Sequence, residues 1–323
     1  MGNPQKEFTN FKIHTQYSIC EGAIKIDELA KITKEKKIKS LGMCDSYNLC
    51  GALEFAEKIS RTGTHPIIGT QINFVLENVI GKIPLFATTS EGYKSLTKLS
   101  SKSYLESDEI TDAHCKIEHL KSINKDLILL TGSQNDFFGK LFSLNKIKQL
   151  EEIIIELKSI FLDKMYIEIQ RHNEPNERKY ENYLIELSKK SKIPLIASQE
   201  VFYLTKDMHE AHDALVCIGE KTFITDPMRK KYSDQHFLKS SSELEILYSD
   251  IPEALENNYN FPYRFSFKPK KSPPILPTLQ IDKNSTVDKE LLSQAKAGLQ
   301  NRLEKFILKE NKNGDKKNKI KIY

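Results

Sequence analysis

The residues Phe-Lys-Ile-His at positions 11–14 end a short apolar stretch in a histidine, with a lysine two positions before it. Alternate residues of a β-strand point to the same face, so histidines that share a metal ion often occur as His-x-His. Here the pattern reads Lys12-x-His14. A protonated lysine has no lone pair to give to a metal. The stretch therefore resembles a metal site with one ligand missing.

Other polar side chains follow apolar runs in the same way. Imidazoles and carboxylates that converge on one edge of a sheet would suit Zn²⁺, Mn²⁺ or Mg²⁺. Each residue alone is a weak signal, because a histidine at a strand end is usually structural and an aspartate there often caps the next helix, as Asp45 could do. The candidates are Lys12, His14, Asp45, Ser46, Gln71, Lys82, Ser133, His172, Glu200 and Phe202.

Short apolar runs alternating with helical patterns would position these side chains. Near-continuous apolar strands between amphipathic helices predict an α/β fold with a mainly parallel sheet. The periodicity leaves open whether the sheet closes as a barrel or stays open and doubly wound. In both cases functional residues cluster at the carboxyl ends of strands. The predicted strands are 11–14, 39–44, 66–75, 83–88, 126–132, 164–170 and 193–198.

The composition limits the classes of function. The 323 residues are 39% hydrophobic, which is enough for a core. No apolar run reaches the roughly 18 residues that a membrane helix needs, and the N-terminus lacks the apolar core of a signal peptide. With five scattered cysteines and no Cys-x-x-Cys pair, we expect a reduced, cytoplasmic protein. The net charge of +5, from 49 basic and 44 acidic residues, does not by itself predict nucleic-acid binding.

The pattern changes near residue 261. Residues 261–285 contain five prolines and little periodicity, as is typical of an extended linker. A helical pattern follows over 286–308. Since such an apolar helix is marginal alone in water, we expect it to be poorly ordered or loosely packed when its partner module is missing. The lysine-rich residues after it are typical of a solvated chain end.

Seven segments occur in an order that carries a family resemblance: FKIHTQYSICEGAIKIDELA, CDSYNLCGALEF, HPIIGTQINF, EGYKSLTKLSSKSY, YIEIQRH, IPLIASQEVFYL and DMHEAHDALVCI. Together they resemble the N-terminal PHP (polymerase and histidinol phosphatase) domain of the bacterial DNA polymerase III alpha subunits, over about residues 8–260. The resemblance implies a distorted, seven-stranded (β/α) barrel. It also implies a PHP domain over 1–265, a Pro-rich linker over 266–285 and an incomplete start of the polymerase palm region over 286–323.

The resemblance also implies which residues would hold metal in a PHP domain with an intact site. Three positions keep a ligand, namely His14, Asp45 and His172, and Glu200 stands where the family has Asp. The resemblance therefore implies a vestigial site with no metal cofactor and no catalytic residue. The positions that have lost ligand character hold Lys12, Ser46, Gln71, Lys82, Ser133 and Phe202.

Two of the lost positions are lysines, which suggests what replaced the metal. An ammonium about 4 Å from a divalent ion would be repelled by roughly 8 kcal/mol at an effective dielectric of 20. Without the ion, buried carboxylates would lack a partner, which is costly. Our hypothesis is that one or both of Lys12 and Lys82 stand where metal stood and form ion pairs with Asp45 or Glu200. The alternative is that both lysines point to solvent.

The function implied by the resemblance is that of the N-terminal part of a replicative, DNA-directed DNA polymerase. The full-length protein would use Mg²⁺ and bind DNA, but this chain lacks the Asp-x-Asp pair that would hold the two metals for nucleotidyl transfer. The implied partners are the rest of the alpha subunit and the proofreading exonuclease subunit, with no membrane. The alternative function is an active metal-dependent phosphoesterase or proofreading exonuclease, against which the lost ligands argue.

Overall fold

The computed structural model describes residues 6–107, 112–277 and 285–307. The chain divides into two compact units, Met1–Lys271 and Ser272–Tyr323. This division falls inside the predicted linker 266–285, while the domain bounds 1–265 and 286–323 stay a prediction. Within the described ranges, no helix combines the length and the apolar character that crossing a membrane requires.

A curled, mixed sheet forms the centre of the first unit. Its order is β8-β7-β6-β4-β3-β2-β1-β9, with β5 paired to β3. The strands, in the described part of the chain, are β1 Lys12–Ile13, β2 Ser40–Ser46, β3 His65–Leu76, β4 Val79–Ala87, β5 Cys115–Lys116, β6 Leu127–Leu130, β7 Met165–Ile169, β8 Leu195–Ala197 and β9 Glu200–Val201. Because Ser198 and Gln199 alone connect β8 to β9, the chain itself joins the two ends of this order.

The predicted α/β barrel is confirmed, with two additions. All seven predicted strands are present, and β5 and β9 were not predicted because two residues give no periodic signal. The expectation of parallel pairing is wrong for β4, which is antiparallel to both β3 and β6. A two-residue hairpin at 77–78 causes this, since such a short turn can only join antiparallel strands.

Helices cover the outer face of the sheet. The predicted face of the helix near residue 150 is confirmed, since Leu150, Ile154, Leu157 and Phe161 are all buried. The helices are α1 Ile26–Lys36, α2 Ala52–Arg61, α3 Ser90–Leu105, α4 Ile117–Ser122, α5 Phe137–Ser143, α6 Ile147–Phe161, α7 Glu177–Ser191, α8 His209–Glu220, α9 Ser241–Leu247 and α10 Pro252–Asn260, with 3-10 turns at Lys206–Met208 and Phe261–Arg264.

The alternation of side chains along β7 shows how the interior of the barrel is built. Met165, Ile167 and Ile169 pack outward into the core shared with the helices. Tyr166 points the other way, into an aromatic cluster with Phe261, and Glu168 shares its face because strand residues alternate. The inner face therefore changes from apolar to charged towards the carboxyl end of the strand, where the candidate residues lie.

The second unit contains the predicted C-terminal helix. This helix, α11, spans Val287–Arg302 and continues into a π-helical turn, Leu303–Ile307. The side chain of Thr286 caps it by accepting a hydrogen bond from the backbone N of Lys289. Leu291 and Leu292 are 65% and 56% exposed, although both belong to its predicted apolar face. That the helix is loosely packed in solution stays a prediction.

Candidate functional site

A cleft of about 1090 Å³ opens where the carboxyl ends of β1, β2 and β7 meet the loops that follow them. Its lining combines candidate residues with others that the sequence did not single out. Lys82, Ser133, His172, Glu200 and Phe202 are candidates that line it. Glu21, Asp136, Glu168, Glu174, Lys230 and His236 also line it.

Lys12 lies at the centre of the charged layer and is fully buried. Its Nζ is 3.5 Å from Glu168 Oε1, 3.6 Å from Asp136 Oδ2 and 3.6 Å from Glu200 Oε1. The pairing of β1 with β9 sets Lys12 directly beside Glu200. Among the described residues, this ammonium has no hydrogen-bond partner. Lys12 is thus a buried cation held by three carboxylates through charge.

The pKa values of this cluster follow from burial and charge. Burial alone would lower the pKa of Lys12, but the carboxylates of Glu168, Glu200 and Asp136 outweigh it and raise that pKa above its ordinary value. Burial would likewise raise the pKa of Glu200, but Lys12 and His14 hold it well below its usual range. For Glu168, burial prevails over Lys12 and raises the pKa. Of Glu168 and Glu200, Glu168 is therefore the first to take up a proton as the pH falls.

The retained His14 is engaged by protein groups on both ring nitrogens. Its Nε2 lies 3.0 Å from Glu200 Oε1, and its Nδ1 lies 3.1 Å from Ser18 Oγ. Gln71, at a position where the resemblance implied a Glu ligand, donates through Nε2 to the same Glu200 oxygen at 2.6 Å. The ring stacks on Phe202 with centroids 4.5 Å apart. Because both ring nitrogens have partners among the described residues, His14 directs no lone pair at a metal.

Asp45 belongs to a different set of contacts. It accepts hydrogen bonds from the backbone N of Thr15 at 2.6 Å, from Thr15 Oγ1 at 2.7 Å and from Ser18 Oγ at 2.7 Å. Burial raises its pKa, and the bonds from Ser18 and Thr15 oppose the shift. The prediction that Asp45 could cap the next helix is wrong, because the N-cap of α2 is Gly51. Asp45 instead fixes the turn that follows β1.

Lys82 pairs with a residue that the sequence did not single out. Its Nζ donates to both carboxylate oxygens of Glu21 at 2.8 Å and to Ser46 Oγ at 2.9 Å. Lys230 reaches the same carboxylate at 3.2 Å. Burial would raise the pKa of Glu21, but Lys82 and Lys230 hold it well below its usual range. Positions 46 and 82, at which the resemblance implied lost ligands, are thus joined through Glu21.

His172 stacks on His236 at the other side of the cleft, with centroids 3.9 Å apart and rings within 6° of parallel. Burial, followed by His236, lowers the pKa of His172 well below its usual value. Glu177 lies 3.8 Å from its Nδ1 and accepts from the backbone N of His172 at 2.7 Å and of Asn173 at 2.9 Å. Burial raises the pKa of Glu177 to about 7.

The remaining candidates have supporting roles. The backbone N of Ser133 donates to Asp136 Oδ2 at 2.7 Å, which holds that carboxylate towards Lys12. Phe202 fills space between aromatic rings, with centroids 4.6 Å from Tyr232 and 5.5 Å from His212. Neither side chain presents a metal ligand of the strength that the intact family site would offer.

The structure does not fit the metal cluster that the resemblance implied for an intact site. No group of three or more His, Cys, Asp or Glu side chains in the described ranges is arranged to hold a metal. The point at which Asp136, Glu168 and Glu200 converge is taken by the Lys12 ammonium. A divalent ion about 4 Å from this ammonium would be repelled by roughly 8 kcal/mol at an effective dielectric of 20.

Comparison with known proteins gives independent evidence on the family of this chain. The PHP domain family model matches residues 10–172. The DNA polymerase III subunit alpha of Caulobacter vibrioides is 32% identical over 312 residues, which cover 93% of this chain and 27% of that protein. The subunit of the same name from Rickettsia bellii is 34% identical over 301 residues, covering 93% and 26%. The chain thus spans about a quarter of the length of these relatives.

Proposed function

Since this chain belongs to the PHP domain family, we propose that it is the PHP part of a DNA polymerase III alpha subunit whose metal site has become a metal-free structural element. The similarity to alpha subunits over 93% of the chain supports the first half of the proposal. The arrangement of charge around Lys12 supports the second half.

The ammonium of Lys12 is the single observation that carries the metal-free proposal. It supplies one positive charge at the point where three carboxylates converge. A buried carboxylate without a cation costs several kcal/mol, so this charge does for the fold what a bound ion would otherwise do. Lys82 and Glu21 form a second internal pair beside Ser46, at two more former ligand positions.

The remaining chemistry of the site is weak. Hydrolysis of a phosphoester at a metal site requires a bound, activated water, and a metal is the usual means of lowering its pKa. With His14 engaged at both nitrogens and Asp45 saturated by Thr15 and Ser18, these two side chains bind protein groups instead of an ion. In our proposal the cleft therefore has no phosphoesterase or exonuclease activity.

The polymerase activity in this proposal belongs to the rest of the alpha subunit. That part would carry the carboxylates, bind Mg²⁺ and DNA and transfer nucleotides in the cytoplasm. The present chain would serve as a docking domain for the rest of the subunit and for a proofreading exonuclease subunit. The relatives named above support this, because they are several times longer than the matched region.

Metal analysis and a hydrolysis assay test the proposal together. The full chain, purified without chelator, is analysed for Zn and Mn, and p-nitrophenyl phosphate is offered with either ion added. We expect clearly substoichiometric metal and no hydrolysis above that of an Asp45→Asn control. Near-stoichiometric metal, together with hydrolysis that Asp45→Asn abolishes, would contradict the proposal. Hydrolysis that persists in the control would indicate a contaminant.

A further inference from the structure

Two lysines on the outer side of the cleft have no carboxylate partner among the described residues. Glu21 pairs with Lys82 and Lys230. Lys140 and Lys231 also line the cleft, and among the described residues no carboxylate lies within ion-pair distance of either. Lys140 Nζ donates instead to the carbonyl of Ile80 at 2.7 Å. This side of the cleft can therefore accept further negative charge.

Glu21 shows which chemistry this side of the cleft holds. Its carboxylate receives two hydrogen bonds from Lys82, one from Ser46 Oγ at 2.5 Å and one from Lys230 at 3.2 Å. Lys230 is 40% exposed, so its ammonium can also be reached from outside. A second carboxylate placed near Lys140, Lys230 and Lys231 would meet the same kind of donor.

Five large apolar side chains are exposed on the loop after β1, on the last turn of α8 and on the turn that leads to Lys230 and Lys231, and we name them the rim patch. The loop after β1 touches the end of α8, because a Cβ on Gly219 would lie 2.4 Å from Cys20 Cβ. The turn after α8 is tied back to the helix by Arg229 and Asp213 at 2.6 Å. The rim patch consists of Ile19, Ile218, Phe223, Ile224 and Met228, exposed by 79%, 71%, 80%, 50% and 89%.

The clustering of the rim patch distinguishes it from ordinary exposed residues. A single exposed apolar side chain, such as Ile155 or Ile246, needs no explanation. Several on adjoining turns beside a cleft form the kind of contiguous surface that marks an interaction site. The burial of such side chains by a partner is favourable in proportion to the apolar area removed from water.

We propose that the rim patch, together with Lys140, Lys230 and Lys231, docks a partner-protein segment that carries apolar side chains flanked by carboxylates. This inference rests on the docking role proposed above and assigns it a surface. A second copy of the chain fits less well, because a two-fold contact places the same patch on both sides and brings the lysines of both copies into one interface without adding acidic groups from a different surface. The apolar side chains also distinguish the surface from one that binds nucleic-acid backbone alone.

A pair of labelled peptides tests the chemistry of the occupant. Both carry the same leucine and phenylalanine residues at helical spacing, and they differ only in glutamate or lysine flanks. Fluorescence anisotropy with the full chain should show binding of the glutamate peptide, weakened by salt, and binding of the lysine peptide weaker by about tenfold or more. Equal binding of the two peptides, or no binding of the glutamate peptide, would overturn the proposal.

Variants locate the binding surface. Phe223→Glu and Met228→Glu should each weaken binding of the glutamate peptide by about tenfold or more, and Lys231→Glu by less, since rim charges contribute less than buried apolar contacts. Ile246→Glu, at a residue 76% exposed on α9, is the matched control and should leave binding unchanged. An equal loss in the control would overturn the assignment.

Sedimentation separates this inference from the docking role on which it rests. The wild-type chain should sediment as a monomer, and a dimer that Phe223→Glu dissociates would show that a second copy covers the patch. If the chain binds the remainder of an alpha subunit but Met228→Glu has no effect on the glutamate peptide, the docking role stands and this surface is wrong. If the chain binds neither, the docking role itself fails.

Discussion

Lys12 and Lys82, the two lysines that we propose stand in place of metal ligands, have different surroundings. Lys12 is fully buried among three carboxylates at 3.5–3.6 Å and makes no hydrogen bond within the described chain. Lys82 keeps 14% of its side chain exposed and donates at 2.8–2.9 Å to Glu21 and Ser46. The first lysine balances the charge of the interior, and the second forms a directed pair at the mouth of the cleft.

The difference shows two ways in which a protein can dispense with a metal ion. A central ammonium can attract several carboxylates at once, but it has no geometry that fixes each of them. A paired ammonium orients one carboxylate and leaves the others alone. If this distinction is correct, removal of the two lysines should affect stability by different amounts and with different dependence on pH and salt.

The largest effect is expected from Lys12→Met, which keeps most of the length of the side chain and removes its charge. Asp136, Glu168 and Glu200 would be left buried without a cation, so the free energy of unfolding should fall by about 3–5 kcal/mol near neutral pH. Urea denaturation measures this change. Lys148→Met, at a side chain 92% exposed, is the control and should change the free energy by less than about 0.5 kcal/mol.

The pH dependence of Lys12→Met gives an independent check. In the wild type the pKa of Glu200 is lowered, so its contribution to stability is present above its unfolded pKa and is lost as the pH falls through the folded value. Without Lys12, burial would raise the pKa of the same carboxylate, and stability would then rise as the pH falls. The destabilisation should therefore shrink towards acid pH. A constant difference from pH 5 to pH 8 would contradict a charge-balancing role for Lys12.

A smaller effect is expected at Glu177, a half-buried carboxylate that lacks such a cation. Burial raises the folded-state pKa of Glu177 to about 7, so at low pH the carboxyl is protonated and its burial costs little. As the pH rises from the unfolded-state pKa towards 7, the cost of burying the charge lowers the stability of the fold. The total change is at most about 3 kcal/mol. Glu177→Gln should flatten the stability curve between about pH 4.5 and 7. A variant that retains the full wild-type slope would show that another group titrates there.

Lys82→Met should have the smallest of the three effects, about 1–2 kcal/mol, because Lys230 remains beside Glu21 and the pair is partly exposed. The loss should diminish at high salt, unlike that of Lys12→Met. Thermal or urea unfolding of Lys230→Met and of the double variant sharpens the test. The double variant should lose more than the sum of the single ones, since only then is Glu21 left without a cation. Strict additivity would mean that the two lysines do not share Glu21.

The sequence predicted the framework of the site better than its chemistry. Apolar runs placed His14, Asp45 and Glu200 at strand ends, and the Lys12-x-His14 spacing singled out Lys12 before the family resemblance added to it. The partner of Lys82 was missed, because Glu21 lies in a loop whose path depends on the contact between Cys20 and Gly219. Asp136 was missed for a similar reason, since its direction depends on a turn at Ser133.

Glu168 could have been found from the sequence alone. It is the acidic residue inside the apolar run 164–170, and its alternation with Met165, Ile167 and Ile169 places it on the inner face. The antiparallel β4 could not be foreseen in the same way, because the two-residue turn at Glu77 and Asn78 contains neither glycine nor proline. The pairing of β3 with β4, rather than the residues of the turn, sets the conformation at 77–78.

The pairing of β1 with β9 has a consequence for how the chain is made. Lys12 lies near the first strand, while its three carboxylates come from positions 136, 168 and 200. During synthesis, Lys12 on β1 therefore remains without its carboxylate partners until most of the domain has left the ribosome. Contacts so distant in sequence make folding slow and leave β1 exposed meanwhile. If the domain is metal-free as we propose, it folds without a metal ion, but its barrel closes only when the late strand β9 pairs with β1.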